Sequence, residues 1–176
     1  MPDRKFTDLF NAGLDQPKVA CIGLDTDPGR LPIVHLGLNV PDAVLLAAQE
    51  AYKQCEKAKP GTDGARLTDK TCRLLARAQL AFNIAIVDAT KELVLAYKPN
   101  SAFYEALGHH GIWALRQTIK YIKKVAPWVV IILDAKRGDI GSTNNGYVAY
   151  ALNYLGADAL TVSPYLGWQA MKPFLD

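Results

Sequence analysis

No apolar run in this sequence approaches the ~20 residues needed to cross a bilayer. The opening residues, MPDRKFTDLFNAG, lack the apolar core of a secretory signal. A soluble, unexported chain is expected. Cysteine is scarce: Cys21, Cys55 and Cys72 are the three in the chain. Their odd number and wide spacing match neither a disulfide framework nor a zinc signature, so they read as buried or half-buried free thiols. Free thiols point to a reducing compartment, and with no signal to the cytoplasm. Strong charge is missing too. The formal net charge is +3, spread along the chain. That argues against a nucleic-acid binder, which needs a clustered basic stripe, and suits a small anionic substrate equally well. The first apolar run continues as LDTDPGRLP, with neither G-x-G-x-x-G nor G-x-x-x-x-G-K-[ST]. A glycine-rich phosphate loop of the dinucleotide or P-loop type is therefore absent where it would be expected.

What is present is an alternation. Four short apolar runs, KVACIGL (18–24), LVLAYK (93–98), WVVIIL (128–133) and ALTVSPY (159–165), are rich in Val, Ile and Leu. Continuous rather than alternating apolar character predicts strands buried on both faces, as in a parallel sheet. Between them lie helical patterns at 42–58, with Asp42 as candidate N-cap, at 67–92, at 111–125 before Pro127, and at 142–156, closed by Gly156. The loop 57–70 is the best candidate for mobility. There is no internal repeat, and 176 residues fit one domain. Strands alternating with helices mean an α/β fold with a parallel sheet. A barrel places reactive side chains at the C-terminal ends of several strands. Here the strands end at Asp25, at Lys98, at Asp134 and Lys136, and at Ser163. This favours a barrel-type active face, with a doubly wound sheet as the alternative.

The stretch IILDAKRGDIGST carries Asp134, Lys136, Arg137 and Asp139 directly behind a core strand. Residues two apart on a strand point the same way, so Asp134 and Lys136 are expected to share a face. Alternating signs let such charges stay ionised in a closed site, because each offsets its neighbour's desolvation. A salt-bridged barrel rim without chemistry would look the same for one pair; charges on three successive strand ends favour catalysis. Pro99 holds Lys98 extended. Gly138 and Gly141 permit tight turns around Asp139.

DAKRGDIGST, together with AYKPNSAFYE, CIGLDTDP, AFNIAIVDAT and TVSPYLG, resembles orotidine 5′-phosphate decarboxylase of the larger bacterial subgroup. The D-x-K-x-x-D pattern alone is shared with sugar-phosphate relatives; AYKPN and KRGDIGST together narrow it. The resemblance implies a (β/α)8 TIM barrel, a homodimer with shared active sites, and no metal or organic cofactor. It implies conversion of orotidine 5′-monophosphate to UMP and carbon dioxide in pyrimidine biosynthesis. By the same resemblance Asp25 contacts the ribose, Lys98 bonds the ribose and the first motif carboxylate, and Asp134 faces the substrate carboxylate. Lys136 protonates C6, while Asp139 and Thr143 reach the ribose in the neighbouring subunit's site. A full barrel needs ~250 residues. With four strands in view, the chain is expected to hold only about the first four β/α units, 1–176 as one half-barrel. The phosphate-gripping half is then missing and the chain alone inactive. A magnesium-dependent relative acting on a sugar phosphate, or a non-catalytic half-barrel, are the alternatives.

Other residues read more plainly. His109-His110 could bind a metal, yet no third ligand stands near them in sequence, so a helix-start or surface pair is expected. Trp113, Trp128 and Trp168 read as core or interface packing. Asn144 and Asn145 read as helix-start caps.

Overall fold

The four apolar runs become four strands. In the computed structural model, which describes residues 5–16, 18–32, 37–62 and 66–175, these are β1 (Ala20–Gly23), β2 (Val94–Lys98), β3 (Val130–Arg137) and β4 (Ala159–Val162). All pair in parallel, in the order β1-β2-β3-β4. The helices are α1 (Phe6–Leu14), α2 (Asp42–Lys57), α3 (Asp69–Thr90), α4 (Ala102–Glu105), α5 (Gly108–Val125), α6 (Ser142–Val148) and α7 (Trp168–Met171). α6 runs on as a π-helical segment, Ala149–Leu155. Gly156 stops it at φ +80°, and Ala157 N–H reaches back to the Ala151 carbonyl at 3.0 Å. That is the left-handed terminator the glycine predicted. The candidate mobile loop 57–70 includes 63–65, which lie outside the described residues.

The chain forms two compact units. One holds the chain up to Leu24, Thr90–Ser101 and everything from Ile119; the other holds Asp25–Ala89 and Ala102–Thr118. The whole sheet belongs to the first. There β2 is almost wholly buried, and so is the apolar part of β3, where Val130, Ile131 and Leu133 are buried, as their continuous apolar runs predict. β1 and β4 are not: β1 is largely exposed and β4 half-buried. A strand with one neighbour leaves its other edge uncovered, and among the described residues β1 pairs with β2 and β4 with β3. The exposure of Cys21 on β1 follows from this, against the expectation of a sheltered thiol; Cys55 and Cys72 are half-buried as expected, and all three are free. The buried Asp158 carboxylate accepts from Ile131 N–H at 2.9 Å and lies 3.9 Å from Lys123, tying the approach to β4 onto β3 and the end of α5.

In the second unit, α3 turns a mixed face inward. Leu75, Gln79, Asn83 and Val87, four apart, are all buried. Buried amides need partners. Gln79 donates to the Thr26 and Phe103 carbonyls at 2.8 and 3.2 Å. Asn83 accepts from the Thr26 hydroxyl at 2.6 Å and donates to Tyr104 and Thr118 hydroxyls at 2.9 and 3.1 Å.

Three local expectations change. Asp42 is the first residue of α2 and not its N-cap, which is Pro41; its carboxylate then faces the positive end of the helix dipole. Asn144 does not cap α6, whose N-cap is Gly141. The three tryptophans, expected in core or interface packing, are 43, 41 and 68% exposed, which removes the core half of that expectation. No helix among the described residues is long and apolar enough to cross a membrane.

Candidate active site

β3 does not end where its apolar run ends. It continues through Asp134 to Arg137, carrying the charges inside the strand. The pairing with β4 slips on the way: Leu133 lies opposite Leu160, whereas Arg137 lies opposite Val162. Two extra residues of β3 are taken up in a bulge. Lys136 absorbs it, with φ +48°, the one positive φ among described non-glycine residues. A lysine in the left-handed region costs ~1–2 kcal/mol, and such strain concentrates where a side chain must be aimed. Asp134 and Lys136 do meet, as the sequence suggests, but by this twist and not by regular strand alternation.

The Asp134 carboxylate is the hub. Lys136 Nζ donates to Oδ1 at 2.6 Å, Lys98 Nζ to Oδ2 at 2.8 Å, and Thr161 Oγ1 to Oδ1 at 2.9 Å. Lys98 stands at the C-terminal end of β2, held extended before Pro99. The backbone is clamped as well. Asp134 N–H donates to the Pro99 carbonyl at 2.9 Å, and Ser101 N–H to the Asp134 carbonyl at 3.0 Å. The carboxyl is held well below the usual carboxylate range, chiefly by the Lys136 ammonium, then by Lys98, against the opposing pull of burial. The Asp134 side chain is 11% exposed, Lys98 31% and Lys136 68%. Two ammonium groups against one carboxylate leave a surplus positive charge, and Lys136 is the cation turned outward.

Thr161, on β4, escaped the sequence reading. Its hydroxyl donates to Asp134 and accepts from Ala135 N–H and Lys136 N–H, both at 3.0 Å. One donor and two acceptor positions are thereby filled, and the bulge is fixed to the carboxylate it aims at. The signal available in sequence was its place in the apolar run ALTVSPY, two residues before the expected strand end at Ser163.

Asp139 and Thr143 lie beyond the bulge. The Asp139 carboxylate accepts from Ile140 N–H at 2.7 Å. Thr143 is exposed in the first turn of α6. Buried Asn144 braces this loop, accepting from Asp139 N–H at 2.8 Å and donating to the Asp139 carbonyl and, at 2.7 Å, to the Ala170 carbonyl. Gly138 is required by packing: a Cβ there would meet the Ser163 carbonyl oxygen at 2.7 Å. Asp25 belongs to the second unit, where it lines a cavity of about 490 Å³ with Thr26, Asp27, Arg30, Phe82 and Phe103.

A family model described as orotidine 5′-phosphate decarboxylase / HUMPS family matches residues 32–176. The chain belongs to this family. It is 38% identical over 168 residues to an orotidine 5′-phosphate decarboxylase of Porphyromonas gingivalis, covering 96% of this chain and 48% of that protein. It is 56% identical over 95 residues to one of Herpetosiphon aurantiacus, covering 54% of this chain and 34% of that protein. The solved Leishmania donovani OMP decarboxylase superposes with TM-score 0.66 at 28% identity, over 98% of this chain and 49% of that one. The chain thus spans about half the length of the orotidine decarboxylases it matches. The fold class is a partial (β/α)8 barrel: four parallel strands with their helices, corresponding to half of the solved decarboxylase chain.

Proposed function

We propose that this chain supplies the catalytic lysines and aspartates of an orotidine 5′-monophosphate decarboxylase. The carrying observation is the Asp134 carboxylate shared by Lys98 and Lys136 at 2.8 and 2.6 Å on adjacent parallel strands. Loss of carbon dioxide breaks the bond from C6 to the carboxyl carbon and leaves the electron pair on C6, which has no adjacent electron sink. An outward ammonium, already fixed, stabilises that charge without reorganisation. Lys136 then gives C6 a proton and is reprotonated from solvent, yielding UMP. Asp134 aims Lys136 by its hydrogen bond, while Lys98 balances Asp134 and bonds the ribose. By the family resemblance, Asp25 contacts the ribose. Asp139 and Thr143 act on the ribose of a neighbouring subunit's site in a homodimer. The exposed Thr143 supports this reading, as does the Asp139 carboxylate, whose bond is to its own loop.

The 176 residues by themselves are expected to turn over little or no substrate. Binding energy from remote groups such as a phosphate drives turnover as well as affinity, and barrels commonly grip phosphate after strands seven and eight. The test is loss of orotidine monophosphate absorbance, with the chain alone and with it continued by the C-terminal β/α units of the Porphyromonas gingivalis relative. Activity is expected only in the completed barrel, unaffected by EDTA. Family-like turnover by the isolated chain would overturn the half-site reading. Activity abolished by EDTA would favour the magnesium-dependent sugar-phosphate class.

A further inference from the structure

Asp69 and the His109-His110 pair are forty positions apart in sequence, yet the fold brings them together within the second unit. Asp69 opens α3, and the two histidines stand in the first turn of α5. Asp69 Oδ1 lies 2.8 Å from His110 Nε2 and 3.9 Å from His109 Nε2. One ligand atom from each of the three residues falls within 4.8 Å of the others. The imidazole rings lie with centroids 3.9 Å apart, tilted by 39°. In a tetrahedral site with bonds of ~2.0–2.1 Å, donor atoms sit about 3.3 Å apart. The 2.8 and 3.9 Å separations bracket that edge. The Asp69 and His109 side chains are 74 and 79% exposed, so an ion can enter from solvent.

We infer that Asp69, His109 and His110 form a binding site for a first-row transition ion of the zinc class. Two imidazole nitrogens and one carboxylate oxygen select zinc, cobalt, nickel or copper over magnesium or calcium, which prefer all-oxygen sets. Three protein ligands leave a fourth position open. A cavity of about 280 Å³ adjoins it, lined by both histidines, Arg73, Arg77 and Trp113. Arg73 and Arg77 follow Asp69 on the same face of α3 at spacings of four and eight. Their guanidinium charge opposes a bare dication, so the open position takes an anion, hydroxide or a carboxylate, which balances the total. The site shares no residue with the Asp134 cluster and is independent of the decarboxylase reading.

The free cysteines are the competing ligands, and the experiment separates them. The chain, stripped with EDTA and exchanged into chelator-free buffer, is titrated with Zn²⁺ by calorimetry and with Co²⁺ by visible absorption. One ion per chain is expected, with a cobalt spectrum free of thiolate charge transfer. Asp69→Ala and His110→Ala should each weaken zinc binding by at least about tenfold. A Cys21→Ser, Cys55→Ser, Cys72→Ser triple variant should bind within about twofold of the parent. Circular dichroism shows whether each variant stays folded. Asp69→Glu, which keeps the carboxylate, should recover part of the loss and guards against a purely structural effect. Parent-like binding by both alanine variants, a thiolate spectrum, or absence of one-to-one binding would overturn the site.

Discussion

Lys136 carries two burdens, a functional charge and a strained backbone, and substitutions separate them. In the completed barrel, Lys136→Ala removes the outward ammonium and should lower kcat/KM by about 10²–10³-fold, the usual consequence of removing one preorganised group that stabilises developing charge. A loss within about tenfold would take the proton-donor role away from Lys136. In stability the order among variants is informative. Glycine is at ease at φ +48° and alanine is not. Lys136→Gly should therefore be more stable than Lys136→Ala by about 0.5–1 kcal/mol in urea unfolding, even after glycine's larger unfolded-state entropy. Asp134 titrates in the opposite sense from a buried neutral acid. Its folded pKa is depressed by the two lysines, so the folded state binds fewer protons than the unfolded one at intermediate acidity. The stability it contributes is fully present above the unfolded value of about 3.9 and is lost as pH falls from there through the folded pKa. Asp134→Asn should show a flatter unfolding midpoint below about pH 4 than the parent, measured by denaturant at stepped pH. An equal slope in both would mean other carboxylates carry the acid sensitivity.

At the scale of elements, the active face depends on how β3 and its following loop are anchored. Thr161 and Asn144 do this from opposite ends. Thr161 satisfies two bulge amides and the Asp134 carboxylate. Asn144, fully buried, links the Asp139 backbone to the carbonyl of Ala170 in α7. Asn144→Ala leaves the Asp139 N–H and two carbonyls short of a partner and should cost about 2–3 kcal/mol in unfolding free energy. The same change should increase hydrogen exchange across 137–143 more than in β2. Mixing tests the reach of that loop. Asp139→Ala and Lys98→Ala proteins, each inactive as completed barrels, should regain activity when combined if Asp139 serves the neighbouring subunit. No recovery, with subunit exchange confirmed, would return Asp139 to its own site.

For the whole molecule the decisive feature is a parallel sheet whose outer strands each have one neighbour among the described residues. Exposed strand edges recruit other strands. Cys21 and Ala20 on β1, and Val19 at 81% exposure just before them, line one such margin. Tyr165, Leu166 and Trp168, just past β4, are 92, 48 and 68% exposed. The isolated chain should self-associate, its weight-average mass rising with concentration in light scattering. A monodisperse monomer across the tested range would show these margins are otherwise protected.

Periodicity and composition by themselves determined the strand–helix alternation, the four strands, the Gly156 terminator and the charged end of β3, because burial and chain stereochemistry act on residues close in sequence. The motif resemblance added the family. Tertiary structure decided what depends on distant partners. It decided that Asp134 and Lys136 meet through a left-handed lysine, since the bulge exists only in the register between β3 and β4. It decided that Thr161 completes the carboxylate's hydrogen bonds, and that Asn144 braces a loop when local rules made it a cap. It also brought Asp69 to His110, because packing α3 beside α5 closes a gap of 41 residues that no local spacing encodes.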